Sequence, residues 1–127
     1  MSILKSLTCE ACNKSTVKLT QNEVLILMPE VKGWQVIVDD GLQGSVQKLV
    51  RIISTKNFKE SMALCQKLAD LAETVNHHPL IIIEYSSITV QWWTHVIQGL
   101  HHNDFIMANK TSALIEAANY ISKTRSS

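Results

Sequence analysis

The chain has 127 residues, a hydrophobic share of 46% and a formal net charge of +1 at pH 7, which indicate one ordinary globular domain. The near-neutral net charge gives no electrostatic indication of binding to nucleic acid or to an anionic membrane, and no apolar run approaches the ~20 residues of a membrane span. Because its three cysteines form no disulfide framework, we expect a soluble protein of a reducing compartment, the cytoplasm.

Residues 1–19 have little hydrophobic periodicity, and we interpret them as a flexible leader before a single domain that spans residues 20–127. The leader contains Cys9 and Cys12 in a CxxC pattern, which is half of a zinc ribbon. No second pair follows, so the pattern is weak evidence for a metal, and a reduced, solvated pair is the favoured interpretation. A metal site shared with a partner subunit or another protein is the alternative.

The first helix is predicted to begin at Thr20. Thr20 and Glu23 fit a capping box, and apolar residues follow at helical spacing. Pro29 should end the helix close to Met28, because proline disfavours helical geometry in the residue before it.

Two strands joined by a turn are predicted next. The segment 33–38 alternates between apolar and polar positions, and Asp40-Gly41 is a turn signal. The second strand covers about residues 46–54. Its apolar residues occupy both odd and even positions, so the direction of its buried face stays open.

The strongest helical pattern follows. Asn57 and Glu60 fit the N-cap and N3 positions, and Pro79 requires the helix to end before His78. Apolar residues recur in steps of three and four, which predicts one buried stripe. The predicted stripe consists of Phe58, Met62, Cys65, Leu68, Ala72 and Val75.

Two further strands and a helix complete the chain. Residues 80–85 form a β-branched run, residues 88–96 alternate, and 86–87 are the short turn between them. The last helix opens within 101–104, and residues 122–127 are predicted to be a frayed tail. The inward side of that helix is predicted to carry Met107, Ala108, Leu114, Ile115, Ala118 and Ile121.

These elements predict an α+β fold of order α-β-β-α-β-β-α. Hairpin-connected strands pair antiparallel, and three amphipathic helices can cover one face of a four-stranded sheet. The other face and the sheet edges stay open in such a two-layer fold. Self-association is a natural way to cover them.

The histidines are the most informative residues of the chain, because all five lie between positions 77 and 102. His77 and His78 lie at the junction of a helix and a strand, and His95 lies at the far end of the next strand. Antiparallel pairing brings that far end back beside the doublet. Glu73, one helical turn before His77, and Asp104, at the start of the last helix, are the nearest carboxylates.

Imidazole both gives and takes protons near neutral pH, so this group suits acid–base catalysis. The same side chains also suit a metal site, and a metal-dependent hydrolase is therefore an alternative. His101 and His102, taken singly, are more simply interpreted as a helix cap or as solvated side chains, and Asp104 alone as a favourable N-terminal charge.

The sequence resembles the pterin-4a-carbinolamine dehydratase family over roughly residues 20–122. The resemblance is specific because it rests on several segments at fixed spacing rather than on one dipeptide. Those segments are the run from Glu73 to Pro79 with its His77-His78 doublet, Tyr85, Thr94-His95, Gly99-Leu100 and Asp104, together with Gly33-Trp34 and Asn57-Phe58.

The resemblance implies dehydration of 4a-hydroxytetrahydropterin to quinonoid dihydropterin, which recycles the cofactor of an aromatic amino acid hydroxylase. It also implies a homodimer or homotetramer with neither metal nor organic cofactor. In this interpretation His77 and His95 are the acid–base pair and His78 binds and orients the pterin. Glu73 and Asp104 would orient the imidazoles or raise their pKa.

The sequence departs from the family pattern at three places. Leu80 and Ile81 follow Pro79 where a polar and an aromatic residue are common, so an aromatic wall of the pocket is either missing or supplied elsewhere, and Trp93 is a candidate to stack on the pterin. Simple packing of Trp93 at the sheet surface is the alternative. His101 replaces a hydroxyl residue, which predicts the loss of half a capping box.

A non-catalytic binding module is the alternative from a different functional class. Such a protein would act through its oligomer surface, as an assembly factor or a coactivator. The clustered histidines favour an enzyme, since a scaffold has no need of them.

Overall fold

The computed structural model describes residues 16–41 and 44–118 and the backbone of residues 121–123. Helices and strand pairs follow the predicted order, which confirms the α+β class, and a short additional strand follows the last helix. The helices are α1 (Gln21–Leu27), α2 (Phe58–Val75) and α3 (His102–Ala117), and the strands are β1 (Gln35–Gly41), β2 (Gly44–Ser54), β3 (Leu80–Glu84), β4 (Ser87–Trp92) and β5 (Ile121–Lys123).

The sheet is antiparallel, with the spatial order β1-β2-β4-β3. In the β3–β4 hairpin, Leu80 pairs with Gln91 and Glu84 with Ser87. The first residue of β3 therefore lies beside the end of β4. This register brings the segment before β3 and the segment after β4 to the same end of the sheet, as the fold-back prediction requires.

The buried face of β2 is the one that carries Leu49 and Ile53, which answers the question that its sequence left open. Both side chains are fully buried, opposite Trp92 and Ile88 of β4. The indole Nε1 of Trp92 donates a hydrogen bond to the Thr111 hydroxyl of α3 at 3.1 Å, which satisfies its polar atom in the core.

The predicted apolar stripe of α2 is wrong in its first half. Phe58 and Met62 are 50% and 48% exposed, and the buried face of the helix contains Ser61 and Leu64 in their place. The Ser61 hydroxyl is satisfied by the Thr55 hydroxyl at 2.6 Å. Helical spacing did not select the correct face because α2 is apolar on more than one side. No helix in the described ranges is long and apolar enough to cross a membrane.

Two predictions about the end of the chain are also wrong. The helix α3 ends at Ala117, so Ala118 and Ile121 are not part of its inward face. The predicted frayed tail is wrong at residues 122–123, because β5 pairs antiparallel with residues 52–54 of β2, while residues 124–127 lie outside the described residues. The strand β1 covers β2 only as far as Val50, and β5 continues the sheet along the same strand.

The end of the predicted leader packs against the domain. Leu19 is buried in the core, and its amide donates a hydrogen bond to the Leu100 carbonyl at 2.8 Å. The boundary at residue 20 stays a prediction, as does the flexible leader. Cys9 and Cys12 lie outside the described residues.

Both predicted N-caps are present. The Thr20 hydroxyl accepts from the Glu23 amide at 3.2 Å, and the Glu23 carboxylate accepts from the Thr20 amide at 2.9 Å. At the start of α2, the Asn57 side chain accepts from the Glu60 amide at 2.9 Å. These side chains satisfy amides that have no partner inside their helices.

Replacing Asn57 with alanine should lower the free energy of unfolding by about 1 kcal/mol, because the first turn of α2 loses its cap acceptor. Urea unfolding followed by circular dichroism measures the change. Lys59→Ala, at an exposed position of the same turn, is the matched control. Equal stability of the Asn57 variant and the control would contradict the assigned capping role.

Candidate active site

The way in which α2 ends determines the orientation of the His77-His78 doublet. Asn76 adopts the left-handed conformation with φ 53°. Its amide and the His77 amide both donate hydrogen bonds to the Ala72 carbonyl. This left-handed C-cap ends the helix and turns the chain before β3. His77 and His78 therefore leave the helix in a turn, where neighbouring side chains are not forced onto opposite faces.

Asp104 connects three segments of the chain. Its side chain is fully buried at the N-terminus of α3, where the helix dipole favours a negative charge. Oδ1 accepts from His77 Nε2 at 2.7 Å, and Oδ2 accepts from the Thr94 hydroxyl at 2.8 Å and from the His101 amide at 2.9 Å. One carboxylate thus fixes the doublet, the segment after β4 and the start of α3 relative to one another.

The contact with Asp104 defines the tautomer of His77. An ionised carboxylate only accepts hydrogen bonds, so Nε2 of His77 carries the proton and Nδ1 is the atom left for other chemistry. The ring is mostly buried and stacks on Trp92, with ring centroids 5.6 Å apart and planes 11° from parallel. His77 is therefore fixed in both position and orientation.

Glu73 contacts His78 rather than His77, with 2.5 Å between Glu73 Oε2 and His78 Nε2. The sequence placed Glu73 on the helix face of His77, but α2 ends at Val75 and the turn changes the direction of both rings. Both members of this pair are more than half exposed. The contact orients the His78 ring at the surface and contributes little to stability.

His95 lies in a tight turn and not in the predicted strand. The strand β4 ends at Trp92, and residues 95–97 form one turn of 3-10 helix. Thr94 and Gly99 close this turn through two backbone hydrogen bonds of 2.9 and 3.4 Å. Gln98 has φ 50°, and its side-chain amide donates to the His95 carbonyl at 2.7 Å. The His95 ring is thus held at the end of the sheet.

The pKa of His95 is lowered from its ordinary value of 6.5. Partial desolvation is the largest cause, although part of the side chain is exposed, and positive charge on His77 is the next. Lys48 and His78 act in the same direction, and Asp104 opposes them. His95 is thus within electrostatic range of both members of the doublet. The gathering of the three rings around one pocket stays a prediction.

A comparison with protein families identifies the family of the chain. The family model described as pterin 4 alpha carbinolamine dehydratase matches residues 17–114. The chain belongs to this family. The carbinolamine dehydratase match includes the histidine doublet, His95 and Asp104, and it begins inside the predicted leader, two residues before the buried Leu19.

A solved structure is also similar to this dehydratase-family chain. It is the crystal structure of a transcriptional coactivator/pterin dehydratase from Brucella melitensis, with a TM-score of 0.67 and 28% sequence identity. The match covers 77% of this chain and 98% of that chain.

His101 caps α3, so the predicted loss of half the capping box is wrong. Its Nδ1 accepts from the Asn103 amide at 3.2 Å, and the Asp104 carboxylate accepts from the His101 amide. An imidazole nitrogen thus replaces a hydroxyl oxygen as the acceptor. The interpretation of His101 as a helix cap is confirmed, and the His102 ring packs edge-on against it at 5.8 Å.

Two tryptophans supply the aromatic surface at this end of the dehydratase-family domain. Trp92 lies against His77, and Trp93 stacks on His95 with ring centroids 4.3 Å apart and planes 15° from parallel. Pro79 is half-buried between the doublet and β3. The substrate contacts of Pro79 and Trp93 stay predictions.

Several residues of the site were missed by sequence reasoning. Thr94 supports Asp104, and Lys48 lies 3.9 Å from the Trp93 ring centroid. The hydroxyl directly before His95 was a usable signal for Thr94. No sequence signal pointed to Lys48, because its contact with Trp93 depends on the register of β2 against β4. Within the described ranges, no group of three or more His, Cys, Asp or Glu side chains is arranged to hold a metal ion.

Replacing Asp104 with asparagine should reverse the tautomer of His77. The amide oxygen can still accept from Thr94 and His101, while the amide nitrogen must donate to His77 Nε2. The proton then moves to Nδ1, and the weaker network should cost about 1–3 kcal/mol of stability. Ring ¹⁵N chemical shifts and urea unfolding measure the two effects.

Asp70→Asn is the matched control, because Asp70 accepts a side-chain hydrogen bond at an exposed position of α2. It should change neither quantity. An unchanged His77 tautomer in the Asp104 variant would contradict the role assigned to the carboxylate.

Proposed function

We propose that the chain dehydrates 4a-hydroxytetrahydropterin to quinonoid dihydropterin. The observation that carries the proposal is that His77 and His95, two imidazoles from different segments, lie at the same end of the sheet, each stacked on a tryptophan. The family membership supports the same reaction.

The reaction needs one acid and one base. Hydroxide is a poor leaving group, so the 4a oxygen must take a proton as the C4a–O bond breaks. The N5 proton leaves to the base, its electron pair forms the C4a=N5 bond, and water departs. The two proton transfers balance, so no external oxidant or reductant is required. Positioned acid–base groups contribute about 10²–10⁴-fold to such a step.

We assign the base to His95 and the acid to His77. The lowered pKa of His95 favours its neutral form, which can accept the N5 proton. Positive charge on His77 is one of the causes of that lowered pKa. For this role His77 must carry protons on both ring nitrogens: Asp104 accepts from Nε2, and the Nδ1 proton is the one donated to the 4a oxygen.

The remaining predicted residues contact or orient the substrate in this proposal. His78, oriented by Glu73, is exposed enough to bind the pterin as it enters. Pro79 and Trp93 contribute apolar contacts beside the two catalytic rings. The reaction uses no metal and no organic cofactor.

The protein would act as a homodimer or homotetramer in the cytoplasm, together with an aromatic amino acid hydroxylase that produces the carbinolamine. An oligomer would cover the β3 edge, where Leu80 and Ile82 are exposed. In the strand order β1-β2-β4-β3, β3 is a terminal strand, so one of its edges is unpaired within the described sheet and lies beside this exposed apolar surface.

A coactivator role is the second candidate. The similar Brucella melitensis protein is described as a transcriptional coactivator/pterin dehydratase. The exposed Phe58 and Met62 of α2 form an apolar strip that a protein partner could cover. This role is compatible with dehydration, because the strip is not part of the histidine site.

Replacing His95 with alanine should slow carbinolamine dehydration by about 10²–10⁴-fold, because the base is lost while no buried core side chain is removed. Stopped-flow absorbance of carbinolamine decay, with and without protein, measures the rate. His102→Ala is the matched control and should keep the parental rate. Near-parental turnover by the His95 variant would count against the proposed base.

The pH profile tests the protonation state. The reaction needs neutral His95, so kcat/KM should fall as the pH drops through the pKa of that ring. Because this pKa is lowered, the acidic limb should lie below pH 6.5. A profile whose acidic limb lies above pH 6.5 would contradict the assignment of His95.

A further inference from the structure

Lys48 is held beside the site by two contacts. Its ammonium lies 2.6 Å from Asp39 Oδ2 on β1 and 3.9 Å from the centroid of the Trp93 ring, and its side chain is only 12% exposed. A lysine on a solvent-facing strand position normally keeps its rotamer freedom. The ion pair and the cation–π contact together offset the entropy lost by ordering this one.

The strand register places Lys48 there. Leu49 of β2 pairs with Trp92 of β4, and both side chains face the helices. Lys48 directly precedes Leu49 in β2, and Trp93 directly follows Trp92, the last residue of β4. Both side chains lie on the opposite face, where the Lys48 ammonium contacts the Trp93 ring. Trp93 in turn stacks on His95. An unbroken set of contacts therefore runs from Asp39 through Lys48 and Trp93 to His95.

We propose that Lys48 is a positioning residue that holds the Trp93 ring against His95. The catalytic part of this inference rests on the proposed dehydratase function. The structural part, which concerns the orientation and the charge of His95, does not.

The physical argument combines packing with charge. The Trp93 indole confines the His95 ring to a parallel arrangement, and the Lys48 ammonium confines the indole. The charge on Lys48 also repels a proton on His95. His77 and His78, from the turn after α2, act in the same direction, and Asp104 of α3 opposes them.

The test compares Lys48→Met, which keeps the apolar stem, with Lys48→Arg, which keeps the cation. Lys67→Met, on an exposed face of α2, removes the same charge from a position that is not among the causes of the His95 shift. Nuclear magnetic resonance titration of the His95 ring in the full chain reports its protonation without substrate. The pH dependence of kcat/KM reports the catalytic consequence.

In Lys48→Met the His95 ring should titrate at higher pH than in the parent. The ratio of kcat/KM at pH 5.5 to that at pH 8 should fall about two- to fivefold, the range of a partly exposed charge interaction. Lys48→Arg and Lys67→Met should match the parent in both measurements. Thermal unfolding of each variant establishes that it is folded.

An unchanged His95 titration in folded Lys48→Met would overturn the inference, and so would a shift of equal size in Lys48→Arg. The two levels of the proposal fail differently. A parent without dehydratase activity, whose His95 titration still responds to Lys48→Met, contradicts the proposed function and supports the positioning role. If the parent is active but the pH dependence of kcat/KM is the same in Lys48→Met, the proposed function is supported and the positioning role is contradicted.

Discussion

The buried carboxylate of Asp104 is the interaction on which the site depends. It accepts three hydrogen bonds from three separate segments, and each donor would otherwise be a buried or half-buried polar group in need of a partner. An ionised group without exposure is costly unless it is fully hydrogen-bonded. The carboxylate and its donors therefore depend on each other: the buried charge needs the three hydrogen bonds, and those bonds fix the positions of the three donors.

The sequence predicted the architecture because its signals were local. Capping residues defined the starts of α1 and α2, and hairpin connectivity alone predicted that His95 returns towards the doublet. The family resemblance rested partly on His77, His95 and Asp104, which lie at one end of the sheet, and partly on residues such as Tyr85 at the opposite end. The overall order of elements followed from turn chemistry and periodicity, which act over a few residues.

The errors arose where tertiary contacts decide between local alternatives. The helix α2 is apolar on two sides, and packing selected Leu64 over Met62. Glu73 went to His78 because a left-handed residue ended the helix earlier than spacing alone indicates. Sequence reasoning did not identify Lys48, because the residues it contacts, Asp39 and Trp93, lie in other segments of the chain. An imidazole served as a helix cap at His101, which composition-based capping preferences do not anticipate.

Two strands that are far apart in the sequence, β1 and β5, pair with the same side of β2. One side of β2 is covered first by β1, which precedes it, and then by residues 121–123, which are the last that the structure describes. During synthesis on the ribosome, β2 therefore waits for more than sixty further residues before that side is complete. Until then its backbone amides and carbonyls are open to the strands of neighbouring nascent chains.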